Sequence, residues 1–211
     1  MRILVTTLFC LLVAGCASTY YGAMESFGIH KREILVDRIS DAMKSQEEAK
    51  EQFASALDQF RSVVSFDGGD LEDLYERLAD ELDDSEDEAE EVGDRIASVK
   101  RVAKDLFKEW EDELDQYSDA SLRSKSQAQL RDTERRYEKL MAAMERAESR
   151  IDPVLSTFRD QVLFLKHNLN ARAVASLKTE LTTIETDVDG LIQEMERSIS
   201  EATEFIDSMS A

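Results

Sequence analysis

The clearest chemistry in this chain belongs to Cys16. Its thiol follows Leu12-Val13-Ala14-Gly15, directly after two small residues that close an apolar run. That pattern is a secretory signal whose cleavage site ends in a nucleophilic sulfur. Cys10 lies inside the segment that would be removed, so a mature chain keeps one cysteine and cannot close a disulfide on itself. Two histidines, His30 and His167, stand far apart in the sequence and fall at opposite ends of the architecture read below, so they share neither a metal nor a proton relay. Carboxylates are abundant from Asp67 to Asp94, fifteen of them with Arg77 as the one base. The run lacks the D-x-D-x-D-G spacing of a calcium loop, and on a helix it spreads around the cylinder as a solvated face. No serine sits in a G-x-S-x-G elbow, no inward Glu-x-x-His pair is spaced for a di-iron bundle, and Gly68-Gly69 reads as a turn rather than a phosphate cradle. Catalytic residues, metal ligands and cofactors are therefore expected to be absent.

The segment before Cys16 has one early charge, Arg2, and an apolar stretch from Ile3 to Val13. A membrane-spanning helix needs about twenty apolar residues, and this stretch is too short. Ending as it does in Ala14-Gly15-Cys16, it resembles the lipobox of bacterial lipoproteins. The resemblance implies diacylglyceryl attachment at Cys16, cleavage ahead of it, and acylation of the new amino terminus. It also implies an address. In bacterial lipoproteins an Asp after the cysteine tends to retain the protein at the inner membrane, and here Ala17 follows, which implies an outer-membrane anchor facing the periplasm.

Composition narrows the partners. The chain has 211 residues, 26 Lys and Arg against 46 Asp and Glu, and a net charge of −20. Such acidity excludes nucleic acid, whose phosphates need clustered cations. It also argues against electrostatic adhesion of the whole chain to an anionic membrane, which leaves the lipid on Cys16 as the anchor. Disorder is excluded by a 42% hydrophobic content arranged with strict periodicity. One proline and seven glycines leave little to interrupt helices.

The elements follow from heptad spacing. Leu35, Ile39, Ala42, Gln46, Ala49, Phe53, Ala56, Phe60 and Val63 step by four and three. A second seam runs from Leu71, Leu74, Leu78 and Leu82 through Val92, Ile96, Val99 and Leu106 to Trp110 and Tyr117. A third runs from Leu130 through Leu140, Met144, Ile151, Val154, Phe158 and Leu165 to Leu169, and a fourth from Val174 through Ile184, Val188, Leu191 and Met195 to Phe205. Short breaks separate the seams at Ser65–Asp70, Tyr117–Ser121 and His167–Asn170, and short connections place successive helices antiparallel. The expected fold is all-α, an elongated up-down-up-down antiparallel four-helix bundle with coiled-coil seams. Its organisation is a signal at 1-15, a lipidated terminus and linker at 16-28, and a bundle at 29-211 with helices near 29-64, 70-117, 121-167 and 171-208. Pro153 is expected to kink the third helix. The linker sets a near end, with the Tyr117–Ser121 turn, and a far end, with the other two turns. The charges predict a rod basic toward its near end through Arg95, Lys100, Arg101, Lys104, Lys108, Arg123, Lys125, Arg131, Arg135, Arg136 and Lys139.

At the far end, Val162 to Leu165 is a wider apolar run than a seam requires, followed at once by Lys166, His167, Asn168, Asn170 and Arg172. One reading is a helix end buried on several sides, with Asn170 capping the fourth helix. The other is a partner-binding tip made of those five polar residues. Three segments, Tyr21-Gly22-Ala23-Met24-Glu25 with His30-Lys31-Arg32, Phe66-Asp67-Gly68-Gly69-Asp70-Leu71, and Phe164-Leu165-Lys166-His167-Asn168-Leu169-Asn170-Ala171, resemble an uncharacterised family of proteobacterial lipoproteins, a domain of unknown function. That resemblance implies an envelope lipoprotein and carries no activity. The expected role is a tethered scaffold or adaptor that contacts an unknown envelope protein. A ligand- or divalent-cation-binding module on the acidic half is the alternative, and seams this regular could also zip two copies together.

Overall fold

The computed structural model describes residues 31–210, and Cys10, Cys16, the linker and His30 lie outside them. The described residues form four helices: α1 (Lys31–Val64), α2 (Leu71–Leu114), α3 (Ala120–His167) and α4 (Ala171–Ser210). Each packs on the next in chain order and α4 closes back on α1. Pairs across the interfaces give the directions. Along α1 and α2 the sequence Lys31–Glu109, Asp41–Arg95, Gln52–Glu81 and Gln59–Leu74 rises on one helix as it falls on the other. Lys100–Glu145 and Glu86–Arg159 do the same between α2 and α3, as do Lys139–Glu201 and Arg146–Glu194 between α3 and α4. Arg32 donates to the Met209 carbonyl and Arg61 pairs with Glu185, so α1 and α4 are antiparallel too. The bundle is all-α and up-down-up-down. At 1.5 Å per residue, the 48-residue α3 spans about 72 Å.

All nine seam residues of α1 are buried, including the amide of Gln46. On the other helices the seam residues are buried or half-buried, and two of them, Tyr117 and Leu169, are exposed. Tyr117 is exposed because α2 stops at Leu114, where Asp115 ends the helix in a tight turn. Leu169 is exposed because α3 ends at His167, which puts it in the turn. Trp110 is half-buried, its indole N–H donating to the buried Ser126 hydroxyl at 2.9 Å. Helix α3 runs unbroken through Pro153, with Ile151 before it and Val154 after it both buried. The seam residues meet inside one copy.

Local chemistry sets the ends. Gly68 and Gly69 have φ of 143° and 112°, the left-handed side that lets α1 reverse within six residues. The Asp70 carboxylate accepts from the Glu72 amide at 3.0 Å, and Asp119 accepts from Ser121 and Leu122 at 2.7 and 3.1 Å. Each satisfies amides that a helix start leaves without partners. Asp119→Ala should cost about 1 kcal/mol. Its urea midpoint should drop while the slope stays constant, and an unchanged midpoint would contradict the capping role.

The expected basic near end does not form. Glu194, Glu201 and Glu204 of α4 face α3 at that level, where Lys139 bridges Glu201 and Glu204 and Arg146 approaches Glu194. Glu109 holds Lys31. These carboxylates, distant in sequence from the cations, offset them, and acidity extends along the whole rod with its maximum on α2.

Candidate functional site

The exposed large apolar side chains of this bundle lie at its two ends. Among the described residues they are Tyr117 and Leu122 at the near turn, and Leu163, Phe164 and Leu169 at the far turn between α3 and α4. The far turn is the denser cluster. Leu163 is 58% exposed, Phe164 40% and Leu169 39%. Below them Val162, Leu165, Ala173, Val174 and Leu177 are buried and fix the tip to the core.

The turn is held by its asparagines. The Asn168 amide donates to the Leu165 carbonyl at 2.9 Å, and its side chain donates to the Phe164 carbonyl, also at 2.9 Å. These bonds satisfy two of the carbonyls that a helix end leaves open. Asn170 then starts α4, its side-chain oxygen accepting from Arg172 and Ala173 at 3.0 and 3.2 Å. Lys166 and His167 stand in the last turn of α3, where the lysine's positive charge complements the helix dipole. Lys166, His167 and Arg172 are exposed and have no ion-pair partner within 4 Å among the described residues. The five polar residues read from the sequence thus divide by role. Asn168 and Asn170 build the turn, and Lys166, His167 and Arg172 face outward.

The reading of this helix end as buried on several sides is overturned. Val162 and Leu165 point inward, whereas Leu163 and Phe164 stand open, because no other element of the described residues passes over the turn. Sequence reasoning also passed over Leu163, Phe164 and Leu169 as surface residues. A signal was present: from Gln161 to Thr179 the chain has no carboxylate, the longest such run among the described residues.

Other regions hold less chemistry. On the acidic stretch, the Glu88 carboxyl is pushed above its ordinary range, first by burial and then by Glu48, Glu91, Asp84 and Asp87. Several neighbours are occupied elsewhere, Glu81 by Gln52 and Ser55, Glu86 by Arg159 and Glu91 by Arg95. Among the described residues no group of three or more His, Cys, Asp or Glu side chains is arranged to hold a metal ion. An open groove of about 410 Å³ between the start of α1 and the end of α2 is lined by Arg32, Glu33, Glu109, Trp110 and Glu113. Charge of both signs meets there, without a nucleophile beside a base. Tyr137 packs edge-on to Phe107 with ring centres 5.3 Å apart, and burial, then Glu145, pushes its phenol up to about 12. It is a half-buried phenol packed against the core. No helix of the described residues is long and apolar enough to cross a membrane.

Comparison with known proteins places residues 20–209 on the model of a family described as protein of unknown function (DUF2959). No curated protein matches the chain.

Proposed function

We infer the role of this chain, which belongs to that family of unknown function, from its own residues: it is a non-catalytic helical strut, tethered to a membrane through lipid on Cys16. It presents the α3–α4 turn to a partner in the bacterial envelope. The observation that carries this reading is the exposed cluster of Leu163, Phe164 and Leu169 beside Lys166, His167 and Arg172. Exposed apolar clusters rimmed by polar groups mark interaction sites, and the asparagine bonds hold this one in a defined shape before any partner arrives.

The tether is the second half of the reading. A thiol after Ala14-Gly15, an apolar run of signal length and Ala17 in the following position support lipidation and an outer-membrane address facing the periplasm. Two acyl signals suffice for stable anchoring. The start of α1 lies beside the end of α4, at the end of the rod opposite the α3–α4 turn, so an anchor there leaves the far turn as the free end.

Two measurements test the halves separately. Cys16→Ser should move the protein from the membrane pellet to the soluble fraction after cell lysis; retention with outer membranes would remove the tether. A photoreactive residue at Lys166 or Arg172 in intact cells should give a discrete crosslink, while one at an exposed mid-rod position such as Arg101 should not. Equal capture at both positions would remove the tip.

A further inference from the structure

We propose that the groove at the near end of the rod is the docking site of this chain's own residues 20–30. The inference goes beyond the tether and the tip, since it needs neither lipid nor a partner.

The groove exists because the helices end at different heights. Lys31 opens α1 beside Glu109 of α2, and Arg32 donates to the Met209 carbonyl near the end of α4. Helix α2 continues past Glu109 for five residues to Leu114, a rise of about 8 Å. Helix α3 accompanies it, since the Trp110 indole donates to Ser126 at 2.9 Å. The α2–α3 hairpin therefore projects beyond the described parts of α1 and α4. Apolar surface is left open on it: Tyr117 and Leu122 are exposed and Trp110 is half-buried. The groove opens at the foot of this face, with Lys31 and Arg32 on one wall and Leu106, Trp110 and Glu113 on the other.

The chain that precedes Lys31 has to leave from this groove, and its residues suit the open face. Tyr20, Met24, Phe27, Lys31 and Ile34 are spaced by four, three, four and three. That step is the one the buried seams use, and Ile34 at its end is itself buried. Glu25 is the one carboxylate from residue 20 to residue 30, so covering the hairpin costs little desolvation of charge. Eleven residues cover about 16 Å as a helix and more when extended, enough to pass the projecting turns of α2. The family match also begins at residue 20, ahead of α1, which assigns the segment to the domain rather than to the leader. For a chain lipidated at Cys16, docking leaves residues 17–19 as the free span, about 11 Å at full stretch. The near end of the rod is then held at the membrane surface.

The test uses residues 17–211, which contain all four helices and no acyl group. They hold no cysteine, and Trp110 is their one tryptophan. A nitroxide attached through Ser26→Cys should quench most of the Trp110 emission, whereas one attached through Lys166→Cys at the far end should quench none. Adding Met24→Ser with Phe27→Ser to the Ser26→Cys chain should restore the emission and move it to longer wavelength. The bundle stays folded in that variant, since its described core is built from α1 to α4. An excess of unlabelled chain should leave the quenching unchanged. Quenching lost under that excess would give the groove to the segment of a second copy. Emission that responds only to added phosphatidylcholine vesicles would give it to a membrane, and either result overturns the proposal. Unquenched emission with the Ser26→Cys label, or quenching that survives Met24→Ser with Phe27→Ser, overturns it as well. No lipid on Cys16 takes part, so the outcome is separate from that of the Cys16→Ser fractionation.

Discussion

Phe158→Ala should lower the unfolding free energy of the bundle by about 3–5 kcal/mol, the largest single-residue effect expected here. Phe158 is 1% exposed, and its ring meets Phe60 edge-on, with centroids 6.0 Å apart and planes at 78°. The contact runs between α1 and α3, helices that are not neighbours in the ring, so it lies across the middle of the bundle. Truncation removes the transfer energy of the ring, the aromatic contact and the filling of the core, and four long helices cannot collapse locally to close the gap. Domains of this size are stable by about 5–15 kcal/mol, so the loss is a large fraction of the whole. Phe164→Ala, six residues further along α3, should cost only about 0.5 kcal/mol or less, as surface substitutions do. Urea unfolding of the two variants followed by circular dichroism distinguishes them. A cost at Phe158 below about 1 kcal/mol, or equal costs at the two positions, would contradict the packing described.

Gln46→Leu should have the opposite sign and raise stability by about 1–2 kcal/mol. Gln46 occupies a seam position on α1, is fully buried, and neither its amide oxygen nor its amide nitrogen has a hydrogen-bond partner in the protein. An unpaired buried amide costs about 1–3 kcal/mol by mutational measures, and leucine fits the seam at similar volume. Each kcal/mol corresponds to about 2–4 °C in melting temperature for a chain of this length, so the increase is readily measured. The Ser198 hydroxyl on α4 is likewise buried and unpartnered. Such polar positions in otherwise apolar seams can fix register at a cost in stability. A fall in melting temperature on Gln46→Leu would show instead that the amide is satisfied in solution by buried water.

Much of the bundle was legible in the residue order. The α1 seam was read residue by residue and all nine positions are buried, because a heptad records which face of a helix must leave water. The turns were legible for an equally local reason: Asp70, Asp119 and Asn170 cap the residues immediately after them, and Gly68 and Gly69 carry a reversal that a side chain would strain. Register failed at two seam ends. Tyr117 and Leu169 continue the apolar spacing past the point where the helices stop, so spacing alone assigned them to the core.

The candidate tip was legible in part. Lys166, His167, Asn168, Asn170 and Arg172 drew attention as polar residues crowding behind an apolar run. Their division into two turn-building amides and three outward side chains needed hydrogen bonds that composition does not encode. Leu163 and Phe164 were misjudged for a different reason. An apolar side chain at a helix end is buried only if some other element reaches over it, and whether one does is a fact about the rest of the chain.

By itself, then, the sequence determined four long helices, the faces they bury and their short reversals, since each follows from interactions among residues close along the chain. Tertiary structure alone decided which apolar residues stay in water and which cations keep their charge unanswered. Burial and pairing are set by partners such as Glu201 for Lys139 and Phe60 for Phe158, which come together only when distant helices pack.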